Sequence, residues 1–160
     1  MNFYQPNEQA AYRKGFGTFD HLLTLKILIE KSIEYNFQIC LAFVDYEKAF
    51  DSIEHWAIFE ELENARIDQR YTDILKNIYK MATAKVKLKE YSNCFDIERG
   101  IRQGDTISPK LFLLALEGIF KKFDWSDKGV NINGRRLSHL RFADDIVLIA
   151  NNSDDLSDDE

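Results

Sequence analysis

The sequence predicts an α+β fold with an antiparallel sheet, and three observations support this prediction. Apolar residues recur at helical spacing from about 20 to 35 and are followed by a short apolar run, Phe37 to Val44, of the kind that forms buried strands. Residues 108–123 are apolar on all sides over their first turns, which indicates a buried helix. Two hairpin signals come last, at 133–134 and within 140–150, and hairpins pair their strands antiparallel.

The first helix and the strand after it place an acidic residue at a strand end. Asp20 is the expected N-cap of the helix, which should end near Tyr35. The run from Phe37 to Val44 is almost continuously apolar, so we expect both faces of this strand to be buried. Asp45 follows directly, at the carboxyl end of the predicted strand.

Two further helices are predicted in the middle of the chain. One is opened by Asp51 or Ser52, with Trp56 facing inward, and the other covers about 71–81. We interpret Asp51 as a helix cap rather than a ligand. We interpret His55 as a helix-surface histidine rather than a catalytic base.

Lysines alternate with apolar residues at 85, 87 and 89, which predicts a strand that carries three cations on one face. The segment Phe95–Ile97 is its expected partner strand. An exposed edge strand and a track for phosphate groups explain the lysines equally well.

A polar loop over 99–107 leads into the buried helix. It contains two glycines with Arg102 and Gln103 between them, and Ser108 and Pro109 suit the N-cap and the first position of the helix. A loop of this kind brings backbone and side-chain donors close to a ligand, because glycine permits close approach. A plain connector is the alternative, but it leaves the arginine and the glutamine unexplained.

Asp144 and Asp145 lie side by side within an apolar, strand-forming run, Leu140 to Ala150. Adjacent ionised carboxylates repel each other, so a chain keeps them against an apolar sheet only when a cation lies between them. An Asp pair is also common in turns that bind no metal. The tail offers a comparison, since Asp154 and Asp155 lie among polar residues, as is typical of a solvated segment.

If the strand that ends at Asp45 is a neighbour of the strand that follows Asp144 and Asp145, three carboxylates meet at one edge of a sheet. This arrangement is typical of two-metal sites, in which cations about 3.5–4 Å apart bind the attacking and leaving oxygens of a phosphoryl transfer. Mg²⁺ is the expected ion, because it prefers hard oxygen ligands and accepts few carboxylates when phosphates supply the rest. Mn²⁺ can substitute for it.

Charge and cysteine content narrow the setting in which the protein acts. The net charge is −6, but residues 154–160 carry five acids and no base, so the rest of the chain has a net charge of −1. A charge this close to zero neither requires nor excludes a nucleic-acid partner. Cys40 and Cys94 match no metal spacing and no disulfide framework. Because we find neither a signal peptide nor a membrane-length apolar run, we expect an intracellular protein of the nucleus or cytoplasm with no membrane partner.

Three segments resemble the palm motifs of reverse transcriptases, in the order and at the spacing of that family. They are Phe43–Ile53, Arg99–Pro109 and Phe142–Asp145, and Glu8–Gly15 resembles the block that precedes them. The non-LTR retrotransposon type is the most similar, and the resemblance covers about residues 8–150. Phe142 stands where many retroviral members have tyrosine, so an aromatic ring is kept.

The resemblance implies a polymerase palm, which is an antiparallel sheet backed by helices, with a partial fingers segment. In this interpretation residues 1–152 form a partial reverse transcriptase domain, with the fingers side over about 1–36 and the palm over 37–152. Residues 153–160 are expected to form a disordered acidic tail.

The resemblance also implies roles for individual residues. Asp45, Asp144 and Asp145 would be the catalytic residues and would hold two Mg²⁺ ions. Phe50 would lie beneath the sugar of the incoming nucleotide and exclude a 2′-hydroxyl. The other nucleotide-binding residues would be Arg102, Gln103 and Gly104.

The implied function is RNA-directed DNA polymerisation, with dNTPs, an RNA template and a DNA primer as partners. A catalytically silent retroelement remnant that binds or supports other molecules is the alternative. A metal-dependent phosphodiesterase is disfavoured, because no residue is suited to activate water. We expect the chain to be a fragment that lacks the thumb and most of the fingers. Such a fragment by itself should extend a primer poorly or not at all.

Overall fold

The computed structural model describes residues 5–157, and they form six helices and seven strands. In chain order the helices are α1 (Thr18–Glu34), α2 (Ala49–Ser52), α3 (His55–Asn64), α4 (Gln69–Lys80), α5 (Ser108–Phe120) and α6 (Asp154–Ser157). The strands are β1 (Cys40–Val44), β2 (Thr83–Ala84), β3 (Phe95–Asp96), β4 (Val130–Ile132), β5 (Arg135–Leu137), β6 (His139–Phe142) and β7 (Asp145–Ala150).

These elements divide into two compact units. The sheet unit comprises the described residues 5–47 and 121–157, and the helical unit comprises residues 48–120. The expected division between fingers and palm, near residue 36, falls inside the sheet unit and does not coincide with this boundary.

The main sheet has three antiparallel strands in the order β1-β7-β6. Val44 of β1 pairs with Ile146 of β7, and Phe142 of β6 pairs with Asp145 of β7. The two apolar runs that we assumed to be neighbours are therefore confirmed as neighbours, because β7 lies between β1 and β6.

Helix α1 covers one face of this sheet. Leu28 of α1 is buried in one cluster with Leu140, Val147 and Ile149 of the sheet and Val130 of β4. Burial of such side chains contributes roughly 1.5–3 kcal/mol each, so this cluster stabilises the sheet unit. The predicted α+β arrangement, an antiparallel sheet backed by a helix, is confirmed.

Strand β1 differs from its prediction. It begins at Cys40 rather than Phe37, and Phe43 is 74% exposed, so the strand is not buried on both faces. The reason is its position, since β1 lies at the edge of the sheet and has a neighbouring strand on one side only.

The start of α1 and the tail also differ from their predictions. Helix α1 begins after Gly17, and Asp20 lies in its first turn, where its carboxylate accepts a hydrogen bond from the Gly17 N–H at 2.7 Å. Where we expected a disordered tail, Asp154–Ser157 form the short helix α6. The Asn152 side chain accepts the Asp155 N–H at 2.8 Å, which satisfies a backbone donor at the start of this helix. Residues 158–160 lie outside the described residues.

In the helical unit, α3 packs against α4 and α5. Ten of the 13 residues of α5 are buried, as its continuous apolar sequence predicts, and the helix ends at Phe120 rather than near 123. At 13 residues, α5 is too short to cross a bilayer, and none of the helices within residues 5–157 has the length and apolar content to do so.

The start of α3 was predicted wrongly. The helix begins at His55 rather than at Asp51 or Ser52, and Trp56 is 64% exposed rather than inward. The backbone is extended at Ile53, whose carbonyl accepts a hydrogen bond from the Gly100 N–H at 2.8 Å. This tertiary hydrogen bond interrupts what the sequence suggests is one continuous helix.

The strand predicted over the lysines is also wrong. Strand β2 contains only Thr83 and Ala84, and these residues, rather than the lysine segment, pair with Phe95 and Asp96. Beyond it the chain turns, and the hydroxyl of Ser92 accepts a hydrogen bond from the Val86 N–H at 2.9 Å. The three lysines lie in this exposed turn region and share no strand face.

Candidate active site

The sheet unit brings Asp45 and Asp145 to one end of the sheet. Asp45 follows the last residue of β1, and Asp145 is the first residue of β7. Since Val44 pairs with Ile146 in an antiparallel ladder, Asp45 lies opposite Asp145. Both aspartates are exposed and line one cavity of about 410 Å³.

The rest of this cavity is mainly apolar. Phe142 and Leu140 contribute from β6, and Thr18 and His21 contribute from the first turn of α1. Burial lowers the pKa of His21, although the nearby carboxylate of Asp20 opposes this shift. The two aspartates are therefore the acidic groups of a largely apolar cavity.

Asp144 occupies the turn between β6 and β7 and is half-buried. Within residues 5–157, no three or more His, Cys, Asp or Glu side chains are grouped as ligands of one metal ion. The donors present still suit Mg²⁺, because this ion is usually held by one or two carboxylates, with water and substrate phosphates as its other ligands. Asp45 and Asp145 fit that description, and they do not form a closed metal cage.

The turn before Asp145 is held by a residue from the start of the described chain. Ala143 has a φ of +56°, a conformation that L residues other than Asn and Asp seldom adopt. The Gln9 side chain accepts the Ala143 N–H at 3.0 Å and donates to the Ala143 carbonyl at 3.4 Å. Gln9 is completely buried.

In the helical unit, the polar loop over 99–107, which contains Gly100 and Gly104, lies against α2. The Ile101 N–H donates to the Phe50 carbonyl at 2.7 Å, and a Cβ at Gly100 would lie 2.9 Å from the Asp51 carbonyl oxygen. Gly100 is required here both for this close approach and for its φ of +91°. The ring of Phe50 stacks on Phe112, with centroids 4.3 Å apart and planes at 13°.

A cavity of about 810 Å³ lies beside this loop. Arg102, Gln103 and Asp51 supply polar groups to its lining, and the Gln103 amide donates to the Asp51 carboxylate at 3.3 Å. Asp51 therefore bonds to the loop and does not cap α3, contrary to our interpretation. Burial, and secondly the charge of Asp105, raise the pKa of the Tyr79 hydroxyl, which also lines this cavity.

His55 supports the same loop. Its Nε2–H donates to the Gly100 carbonyl at 2.9 Å, and its ring meets Tyr79 edge-on at 4.7 Å. His55 is half-buried, so it is a structural residue of the helical unit rather than a surface histidine.

Comparison with known proteins identifies the family. Residues 4–159 match the family model described as reverse transcriptase (RNA-dependent DNA polymerase). The chain belongs to the reverse transcriptase family. The predicted assignment to the non-LTR retrotransposon type is confirmed by the relatives that follow.

Two curated relatives of this reverse transcriptase segment are Pol polyproteins of R2 retrotransposable elements. The protein from Nasonia vitripennis is 26% identical over 143 residues, which are 89% of this chain and 14% of the relative. The protein from Drosophila melanogaster is 30% identical over 143 residues, which are 86% of this chain and 13% of the relative. The chain thus spans about a seventh of the length of these relatives.

Solved structures with a similar fold include apo telomerase from Candida tropicalis. Its TM-score is 0.68 at 16% identity, over 94% of this chain and 29% of that chain. The version truncated of its C-terminal domain gives a TM-score of 0.65, also at 16% identity, over 94% of this chain and 31% of that one. At such low identity the similarity concerns the fold, which agrees with the predicted palm-type α+β arrangement.

The structure of this reverse transcriptase segment thus brings some of the predicted site residues together. Asp45 and Asp145 share a cavity, and Asp144 occupies the adjacent turn. Separately, in the helical unit, the backbone next to Arg102 and Gln103 bonds to Phe50. Gly104 is exposed and has a φ of +94°.

Sequence reasoning missed two residues of the sheet unit. Gln9 was noted only as part of the segment Glu8–Gly15, and no local pattern links it to a turn 134 residues away. His21 had a usable signal, because it precedes Leu25 and Leu28 at the spacing of the helix face that packs on the sheet.

Proposed function

We propose that the chain is the part of an RNA-directed DNA polymerase that transfers a nucleotide from a dNTP to the 3′-hydroxyl of a DNA primer. The observation that carries this proposal is the pairing of Val44 with Ile146, which sets Asp45 opposite Asp145 beside a cavity that both residues line. Membership of the reverse transcriptase family supports the same conclusion.

In this proposal Asp45, Asp144 and Asp145 hold two Mg²⁺ ions, which Mn²⁺ can replace. When bound, such ions lower the pKa of an attacking hydroxyl and stabilise the charge on phosphoryl oxygens. The contribution of the chain is preorganisation, because the ladder between β1 and β7 holds the backbone on both sides of the site. The apolar side chains of Leu140 and Phe142 line the cavity beside the two aspartates.

Phe50 is the proposed selector of deoxynucleotides in the helical unit. Its ring stacks on Phe112, and its backbone carbonyl is fixed by the hydrogen bond from the Ile101 N–H. A ring stacked in this way leaves no room for a 2′-hydroxyl on a sugar that lies against it, so it rejects ribonucleotides sterically.

Arg102, Gln103 and Gly104 are the proposed contacts to the incoming nucleotide. Arg102 and Gln103 line the cavity of the helical unit and are exposed, so a ligand can reach their donors. A guanidinium pairs well with phosphate oxygens. A Cβ at Gly104 would meet no atom within 4 Å, and glycine there leaves the backbone open to a ligand.

An RNA template is the proposed polynucleotide partner. The support comes from the family and from a structure of similar fold, a Candida tropicalis telomerase in complex with a fragment of telomeric RNA, with a TM-score of 0.63 and 13% identity over 95% of this chain and 26% of that one. The alternative of a catalytically silent remnant is not favoured by these comparisons.

The test of the carboxylates is single-nucleotide addition to a short DNA primer on an RNA template, at low salt and saturating hybrid, with Mg²⁺ or Mn²⁺. These conditions separate the chemical step from the demand for tight duplex binding. We expect slow addition by the wild-type chain and a loss of at least about 100-fold in Asp145→Asn, since several kcal/mol of charge stabilisation disappear.

The chain supplies a matched control for this experiment. Asp154→Asn combined with Asp155→Asn removes an acid pair that lies in α6, and this variant should retain the wild-type rate within about twofold because solvent screens these charges. Equal rates in Asp145→Asn and the wild type would refute the role of the carboxylates. Absence of both addition and Mn²⁺ binding in the wild-type chain would refute the proposed function.

The role of Phe50 is tested by its selectivity. Phe50→Ala should incorporate ribonucleotides at least about 10-fold better relative to deoxynucleotides, because the steric barrier is removed. Phe59→Ala changes another phenylalanine of the helical unit, in α3, and serves as the control. An unchanged ratio of dNTP to NTP incorporation in Phe50→Ala would remove Phe50 from this role.

A further inference from the structure

The side chain of Gln9 is buried in the sheet unit although it is polar. None of its surface is exposed, so it contacts neither solvent nor a substrate in the cavity. A buried amide requires hydrogen-bond partners, since an unpaired polar group inside a protein costs about 1–3 kcal/mol. Its partners therefore indicate what the residue does.

Most of these partners belong to the turn between β6 and β7, which precedes Asp145. Oε1 of Gln9 accepts the Ala143 N–H at 3.0 Å, and Nε2 donates to the Ala143 carbonyl at 3.4 Å. Oε1 also accepts the Ala11 N–H at 3.1 Å, which ties the amide to its own segment. One side-chain amide thus pairs with both polar groups of one residue in the turn, as a neighbouring strand would.

The backbone around Gln9 holds this amide in place. Gln9 forms a parallel bridge with Arg141 of β6. The Arg141 N–H donates to the Glu8 carbonyl at 2.7 Å, and the Ala10 N–H donates to the Arg141 carbonyl at 3.0 Å. The segment is therefore bonded to β6 directly beside the turn.

The turn needs outside support because its own sequence is poorly suited to it. Ala143 has a φ of +56°, and alanine has no side-chain group that stabilises this conformation. Ala143 is also buried, so water does not satisfy its N–H and carbonyl. The two bonds from Gln9 satisfy both groups and favour the one turn geometry that fits them.

We propose that Gln9 is a positioning residue for the acidic turn: its side chain fixes the Ala143 peptide and thereby sets the directions of Asp144 and Asp145. The inference rests on the proposed function for the role of those two carboxylates. Gln9 acts through the turn and does not touch a substrate. Its removal should loosen the turn and weaken cation binding, while the fold is kept.

Three variants of the 160-residue chain test this inference. Gln9→Met keeps the shape of the side chain and removes its hydrogen bonds, whereas Gln9→Glu keeps an acceptor for the two N–H groups. Gln5→Met is the matched control, because Nε2 of Gln5 also makes two bonds to the backbone, to the carbonyls of Gln9 and Ala11, but none to the turn.

Two measurements separate positioning from general stability. Amide hydrogen exchange at Ala143, followed by NMR, should be about 10-fold faster in Gln9→Met and largely restored in Gln9→Glu. The affinity for Mn²⁺, followed by broadening of the Asp144 and Asp145 amide signals, should fall about 10-fold in Gln9→Met. Gln5→Met should change neither, whatever its effect on the melting temperature.

The inference is overturned if the Ala143 amide exchange rate and the Mn²⁺ affinity of Gln9→Met equal those of the wild type. It is also overturned if Gln5→Met changes these two quantities as much as Gln9→Met does. If Gln9→Met does not fold, Gln9→Asn, whose side chain is too short to reach the Ala143 peptide, is compared with Gln5→Asn, and equal exchange at Ala143 in the two variants rejects the inference. If the wild-type chain binds no Mn²⁺, the proposed function fails, and exchange at Ala143 still decides whether Gln9 holds the turn.

Discussion

Two hairpins follow one another in the sheet unit, and different interactions stabilise their turns. The first, which we name the Asn-Gly hairpin, joins β4 to β5 through Asn133 and Gly134, and both residues have positive φ. The second, the acidic hairpin, joins β6 to β7 through Ala143 and Asp144. Asn and Gly are the residues that such a two-residue turn favours, whereas Ala is not.

The side chains that hydrogen-bond to the backbone of the two turns lie at different distances along the chain. In the Asn-Gly hairpin, the Asn131 side chain accepts the Gly134 N–H at 2.8 Å, only three residues away. In the acidic hairpin, Gln9 bonds the Ala143 peptide from 134 residues away. A hairpin with turn-forming residues needs little help, while one that presents carboxylates in its turn depends on the rest of the fold.

The largest difference between the hairpins should appear in their packing. Ile149 of the acidic hairpin is 2% exposed in the core cluster, whereas Ile132 of the Asn-Gly hairpin is 43% exposed. Ile149→Ala should lower the free energy of unfolding by about 2–5 kcal/mol, and Ile132→Ala by less than about 1 kcal/mol. Urea denaturation followed by circular dichroism measures both, and equal losses would contradict the comparison.

The second largest difference between the hairpins should be the effect of acid on the free energy of unfolding. Burial, and secondly the charge of Arg141, lower the pKa of His139 at the start of the acidic hairpin from 6.5 to about 4. The unfolded chain then binds more protons between these values, so the free energy of unfolding should fall by about 3 kcal/mol as the pH drops from 7 to 4. The Asn-Gly hairpin contains no histidine and no acid.

This pH dependence is measured by urea denaturation between pH 4 and pH 7. Trp125 reports on the site by fluorescence, because its ring meets His139 edge-on at 4.6 Å. His139→Gln should flatten the slope in this range, and His55→Gln serves as the control histidine. A slope in His139→Gln equal to that of the wild type would assign the acid sensitivity to other groups.

A smaller effect is expected from the turn of the Asn-Gly hairpin. Gly134 has a φ of +82°, and a Cβ there would meet no atom within 4 Å. Gly134→Ala should therefore lose only the conformational term of about 1–2 kcal/mol, without a steric clash. A loss above about 3 kcal/mol in urea denaturation would mean that the turn has a tertiary role as well.

The smallest effect is expected at Ala143, the first turn residue of the acidic hairpin, with the opposite sign. Ala143→Gly removes the strain of an alanine at φ +56° but adds backbone freedom to the unfolded chain. The free energy of unfolding should rise by less than about 1 kcal/mol, because the two terms nearly cancel. Clear destabilisation would show that the methyl group of Ala143, which is 6% exposed, contributes more packing than we infer.

Several features were predictable from the sequence because they depend on neighbouring residues. Asn133-Gly134 specifies its own hairpin, and the continuous apolar run of α5 specifies a buried helix. The two carboxylate positions at strand ends followed from short-range patterns of apolar residues around Asp45 and Asp145. Local propensity and periodicity determine such elements, since their partners lie within a few residues.

Other features were decided only by the tertiary structure. The break before α3 arises from the bond between Ile53 and Gly100, and the exposure of Phe43 arises from the edge position of β1. The site depends most on such contacts, because the pairing of β1 with β7 and the bonds from Gln9 join residues about a hundred positions apart or more. Contacts between distant segments leave no periodic signal in either segment, so they become visible only when the chain is folded.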